Sequence, residues 1–104
     1  MIRKRMRAVD GLIAHFEYVA RRSPGAAAKL LDAVERTLKT IEKMPGLGRP
    51  WSEPGTPLHQ IRVRGVAGFD SYLLYYREID GGIEWLAIRH AAQEELDLLG
   101  DVGS

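Results

Sequence analysis

Five basic side chains in the second half of the chain are the residues best placed to do chemistry. Arg62, Arg64, Arg77, Arg89 and His90 fall in three short β-rich segments that must be neighbours in one small sheet. Guanidinium groups arrayed on a sheet bind phosphate oxygens, stabilise a pentavalent phosphorane, or grip the carboxylates of a partner. Tyr72, Tyr75, Tyr76 and Trp85 lie among them and offer faces on which a base can stack. A plainer reading stands beside this one. Aromatic residues inside apolar strands are mostly core, and Tyr75 and Trp85 are read so. An arginine on a strand is often a solvated or ion-paired surface group, so Arg62 and Arg77 admit both readings.

Other chemistries find no support in the spacing. His15, His59 and His90 are far apart, with no pair at ligand spacing, and no metal site is expected. The absence of cysteine excludes a disulfide framework, a zinc–thiolate centre and a thiol nucleophile. No serine occupies a nucleophile elbow, and no carboxylates can be paired for acid–base work. Gly46-Leu47-Gly48 resembles a fragment of a phosphate loop, but it follows a helix and precedes Pro50, which is the wrong context.

Length and periodicity define the elements that must position these groups. The 104 residues, 45% hydrophobic and 28% charged, read as one globular domain over residues 1–104. No apolar run approaches the ~18 residues of a membrane span. The basic start at Arg3, Lys4, Arg5 and Arg7 leads into Asp10, His15 and Glu17 rather than a signal-peptide core, so a cytoplasmic location is expected. With 15 basic and 14 acidic residues the net charge is +1, so any basic function depends on local segregation of charge.

Residues 1–7 read as a short edge strand. Val9, Leu12, Ile13, Phe16 and Ala20 then recur at spacings of three and four, predicting a helix that ends near Arg22 and is weakened by Gly11. Ser23-Pro24 is a start signal, a capping hydroxyl followed by proline in the first turn. The second helix runs to about Met44 on a stripe of Ala27, Leu30, Leu31, Val34, Leu38 and Ile41, with Asp32–Arg36 and Glu35–Lys39 on its solvated face. Residues 45–57 hold four prolines and three glycines and are expected to be irregular. Strands follow at residues 58–64, 69–78 and 83–90, with a hairpin turn at Asp80-Gly81-Gly82 and a short helix at residues 93–99.

The expected fold is α+β, in the order β-α-α-β-β-β, an antiparallel helical hairpin covering one face of a three-stranded antiparallel sheet. The opposite face would be left open, carrying the arginines toward a partner. Whether Arg77 shares a face with Arg89 or with His90 depends on the length of the last turn, because a one-residue change swaps every side chain across the sheet.

Several segments taken together resemble the RelE/ParE superfamily, toxins of bacterial type II toxin–antitoxin pairs. They are Tyr18-Val19-Ala20, Ser23-Pro24-Gly25-Ala26-Ala27, Met44-Pro45-Gly46-Leu47-Gly48-Arg49-Pro50, the strand from Phe69 to Arg77 and the ending from Ile83 to His90. The resemblance covers residues 8–97 and implies the same strand, helical hairpin and sheet. Gly11 and His15 depart from it inside the first helix.

RelE-like members cut messenger RNA in the ribosome, whereas ParE-like members inhibit DNA gyrase. Arg62 matches an arginine position common to both branches, and His90 falls where a late histidine is common. Ala91-Ala92-Gln93-Glu94 supplies no tyrosine or second histidine as acid, and residues 50–57 carry no lysine. Phe69 with Tyr72-Leu73-Leu74-Tyr75-Tyr76-Arg77 looks more like the ParE branch. The resemblance therefore implies a gyrase inhibitor rather than an enzyme, without a cofactor, forming a hetero-oligomer with a cognate antitoxin whose carboxylates meet Arg62, Arg77 and Arg89. Arg62, Arg64, Arg77, Arg89 and His90 are the candidates for binding the antitoxin or the target. The alternative is a ribosome-dependent mRNA endonuclease with Arg62 and His90 as catalytic candidates.

Overall fold

In the computed structural model, which describes residues 1–51 and 60–93, strand β1 (Ile2–Lys4) runs parallel to β5 (Gly82–His90), its partner from the far end of the chain. Between them lie helices α1 (Met6–Ala20) and α2 (Pro24–Lys43), a 3-10 turn at Pro45–Leu47, and strands β2 (Arg49–Pro50), β3 (Arg62–Val66) and β4 (Phe69–Ile79). The strands form one sheet in the order β1-β5-β4-β3-β2, with β3, β4 and β5 antiparallel at its centre. The α+β order expected from the sequence holds, and short strands extend the three-stranded centre at both edges.

The helix signals act as their chemistry dictates. Ser23 Oγ accepts a hydrogen bond from the Ala26 amide at 3.2 Å, and Pro24 occupies the first turn of α2, where no amide hydrogen is missed. Ala27, Leu30, Val34, Leu38 and Ile41 are buried as the stripe predicts, joined by Ala33 and Thr37. Leu31 and Ile13 depart from the pattern and remain 36% and 49% exposed. Gly11 has a packing reason: a Cβ there would lie 3.0 Å from a methyl of Ile88, so its absence lets α1 settle closely on β5.

Two apolar clusters lie on opposite faces of the sheet. Leu74, Tyr76, Ile83, Trp85 and Ile88 face the helices and join Leu12, Leu30, Val34, Leu38 and Ile41 in the main core. Ile61, Val63, Tyr75, Leu86 and Ala87 form the second cluster, with Trp51 edge-on to Tyr75 at a centroid distance of 5.9 Å. Every member of this second cluster is buried. The expectation of an open face opposite the helices is therefore corrected. These strands are apolar on both sides, and burial of both sides is the outcome hydrophobicity favours.

Residues 45–51 are also more regular than their prolines and glycines suggested. Arg49 and Pro50 pair with Val63 and Arg62, and the Trp51 amide bonds to the Ile61 carbonyl at 2.7 Å. Proline is tolerated there because β2 is an edge strand. Residues 52–57, the start of the strand expected from residue 58, and the expected helix beyond Gln93 lie outside the described residues.

Candidate functional site

Strand parity decides which guanidiniums meet. Ile79 pairs with Gly82 across the two-residue turn Asp80-Gly81, where Gly81 has φ +80°. That turn alone would place Arg77 on the same face as His90. A bulge intervenes: Tyr76 pairs with Trp85 but Tyr75 with Ala87, leaving Leu86 as an extra residue. Beyond it the parity reverses, so Arg77 and Arg89 share the face away from the helices and His90 turns to the helical side. Arg62 and Arg64 stand opposite Tyr76 and Leu74, also on the helical side. The expected array of arginines on one face is thus divided between two.

Most of these groups already hold the protein together. Arg77 Nε donates to Glu84 Oε1 at 2.8 Å, and Arg5 Nε donates to Glu84 Oε2 at 3.0 Å. Glu84 is only 2% exposed. Burial alone would push its carboxyl up, but the hydrogen bond and charge of Arg77, with those of Arg5, hold it below the usual range. Arg89 Nε donates to the Tyr75 hydroxyl at 3.0 Å, with the guanidinium 5.9 Å from that ring's centroid. Arg62 donates from Nη1 to the Gly48 carbonyl at 2.8 Å.

That last contact belongs to a built feature that explains Met44-Pro45-Gly46-Leu47-Gly48-Arg49-Pro50. The Tyr76 hydroxyl donates to the Pro45 carbonyl at 2.7 Å and accepts from the Gly48 amide at 2.8 Å. A Cβ on residue 48 would lie 2.6 Å from that hydroxyl oxygen, so only glycine fits. Burial pushes the Tyr76 hydroxyl pKa up, keeping it protonated and able to donate.

His90 is not isolated, although the sequence offered it no companion. Its ring meets Tyr72 edge-on at 5.0 Å, and His15 from α1 meets the same tyrosine at 5.1 Å. His90 Nδ1 accepts from the Ala92 amide at 3.1 Å, which places the proton of the neutral ring on Nε2. Burial, then the charge of His90, lowers the pKa of His15. No spacing rule reveals this cluster, because its members come from three elements.

Two surface features escaped the sequence reading. Ile13, Leu31, Val9 and Phe16 line a groove of about 220 Å³ beside the Lys4–Glu35 ion pair. A second, wider cleft of about 810 Å³ lies between α2 and β3 and contains Arg36 and Arg64. The only hint of the groove was the extra width of the apolar stripes at Ile13 and Leu31.

The comparison with known families agrees with this architecture. The model described as the ParE toxin of type II toxin–antitoxin system, parDE, matches residues 2–95. The chain belongs to the ParE toxin family. No curated protein matches it. As a ParE-family toxin it implies a cognate antitoxin as partner. No helix among its described residues is long and apolar enough to cross a membrane.

Proposed function

We propose that this ParE-family toxin inhibits DNA gyrase by binding it, and that a cognate antitoxin held in a cytoplasmic hetero-oligomer keeps it inactive. The observation that carries the choice against RNA cleavage is the separation of Arg62 from His90. Their partners on β4, Tyr76 and Tyr72, are four residues apart, roughly 13 Å along the strand. Arg62 is moreover engaged with the Gly48 carbonyl. Two groups so disposed do not converge on one scissile phosphate, and inhibition by contact requires no such convergence. The groove at Ile13 and Leu31 suits an apolar face of the antitoxin, presented as an amphipathic segment. Arg64, which is exposed on the helical side of the sheet, would meet its carboxylates.

Induction of the chain alone in bacteria is expected to cause filamentation and DNA-damage signalling, relieved by co-expression of the antitoxin. Purified protein is expected to block gyrase supercoiling. Unaltered supercoiling at high molar excess would remove gyrase as the target.

A second reading, ribosome-dependent mRNA cleavage, draws on the His15–Tyr72–His90 cluster, which brings a tyrosine and a second histidine to the one acid candidate. It predicts new messenger breaks by primer extension within minutes of induction, abolished by His90→Ala. Intact messages would exclude it.

A further inference from the structure

We infer that the guanidinium groups around Glu84, on the sheet face away from the helices, form a site for the phosphate backbone of duplex DNA. Arg3 pairs in register with Glu84 from β1, and Arg77 pairs with it from β4, so the three stand in one row across neighbouring strands. At two strand spacings, Arg3 and Arg77 are roughly 10 Å apart. Arg5 is extended and lies two residues past Arg3, which brings it to the same face. Arg5 and Arg77 each bond to Glu84 through Nε alone, leaving the Nη nitrogens of both without a partner among the described residues. Their side chains are 34% and 28% exposed, so those nitrogens can reach a ligand. Arg3 is exposed and makes no hydrogen bond or ion pair among the described residues. Bracing and binding thus use different nitrogens of the same side chains.

The cluster sets three positive charges against one negative, in a molecule whose net charge is only +1. Such local segregation of charge is what sequence-independent attraction to nucleic acid requires. Glu84 is 2% exposed, so it fixes Arg5 and Arg77 without itself facing an occupant. The side-chain groups left to solvent are donors only. A phosphodiester, whose oxygens only accept, matches them, whereas a peptide brings amide donors that find no acceptor among these side chains. Tyr75, two residues before Arg77 on the same face, is 1% exposed and offers no open ring for base stacking. The chemistry therefore favours the backbone of a duplex over a single strand or an acidic peptide.

The choice of DNA rests on the gyrase reading, because a protein seated on gyrase lies beside that enzyme's duplex substrate. The probe is a fluorescein-labelled duplex of about 20 base pairs, followed by anisotropy on the intact protein. Between about 50 and 200 mM salt, log K is expected to fall against log salt with a slope near −2.7, about −0.9 for each of three phosphates. Arg3→Gln lies outside the Glu84 pair; it is expected to weaken binding severalfold and to make the slope shallower by about 0.9. Arg77→Lys, which keeps a charge for Glu84 but loses the outward Nη groups, is expected to weaken binding as well. Arg21→Gln, at the far end of α1, is expected to change neither, and circular dichroism checks that each variant is folded. No binding by wild type, an unchanged slope in Arg3→Gln, or an equal effect of Arg21→Gln overturns the inference. So does tighter binding of polyglutamate, of a single strand or of inorganic pyrophosphate. A protein that binds the duplex without affecting supercoiling would refute the gyrase reading alone. One that blocks supercoiling without binding the duplex would refute this inference alone.

Discussion

Arg77 and Glu84 face each other across the β4–β5 hairpin at 2.8 Å, and that contact makes a candidate recognition residue into a brace. The same carboxylate takes Arg5 from the start of α1, so three elements meet on one buried negative charge. Removing it leaves two guanidiniums close together with nothing between them.

Glu84→Gln is accordingly expected to cost about 2 kcal/mol of stability. This is less than the ~3–5 kcal/mol of a fully buried pair, because both arginines reach solvent. Denaturant unfolding measures the loss. The folded carboxyl titrates below its ordinary value of ~4.3, so its contribution is present above that pH and lost as pH falls toward the depressed value. The variant should show a shallower decline of melting temperature below about pH 4.5 than wild type.

Tyr76→Phe removes both the donor to Pro45 and the acceptor for Gly48, stranding a buried amide. A loss of about 1–3 kcal/mol is expected. Gly48→Ala should cost at least as much by forcing the turn away from the hydroxyl. If the turn is one unit, the two changes combined will cost clearly less than their sum, which a double-mutant cycle tests.

Burial, and then the charge of His90, lowers the pKa of His15 in the fold. A depressed histidine pKa means that the unfolded chain binds more protons, so stability is whole above the ordinary value of ~6.5 and falls as pH drops through it. His15→Phe keeps a ring against Tyr72 and removes the titration. Its melting temperature should be flatter than that of wild type between about pH 7.5 and 5.5.

Ile13→Asp and Leu31→Asp place a charge in the groove between the helices while sparing the core, since both positions are exposed. Stability should change by under about 1 kcal/mol. Toxicity should persist while neutralisation by the antitoxin weakens, read as growth on co-expression. Full rescue of both variants would take the groove out of the antitoxin interface.

The order of elements was legible because each has a local cause: Ser23-Pro24 opens α2, five of the six residues of its apolar stripe are buried, and Asp80-Gly81 turns the last hairpin. The distribution of arginines was not, because it depends on Leu86. Nothing in Ile83-Glu84-Trp85-Leu86-Ala87-Ile88 marks one residue as extra, since the five apolar residues can be buried on either face. The brace roles of Arg62, Arg77 and Arg89 were hidden for a related reason: their partners are set by register and by long-range packing. The spacing pairs Asp32 with Arg36 and Glu35 with Lys39, but Glu35 turns to Lys4 across the molecule, and Arg36 lines the cleft.

The pairing of Ile2 with Ile83 has a bearing on how the protein comes into being. At ~5–20 residues per second these partners are synthesised roughly 4–16 s apart. During that interval the nascent polypeptide has its helices but lacks Trp85 and Ile88, against which they rest. A chain stopped before residue 82 is expected to give no cooperative melt by circular dichroism. Harm to the producing cell can then begin only once residues 82–90 have been made.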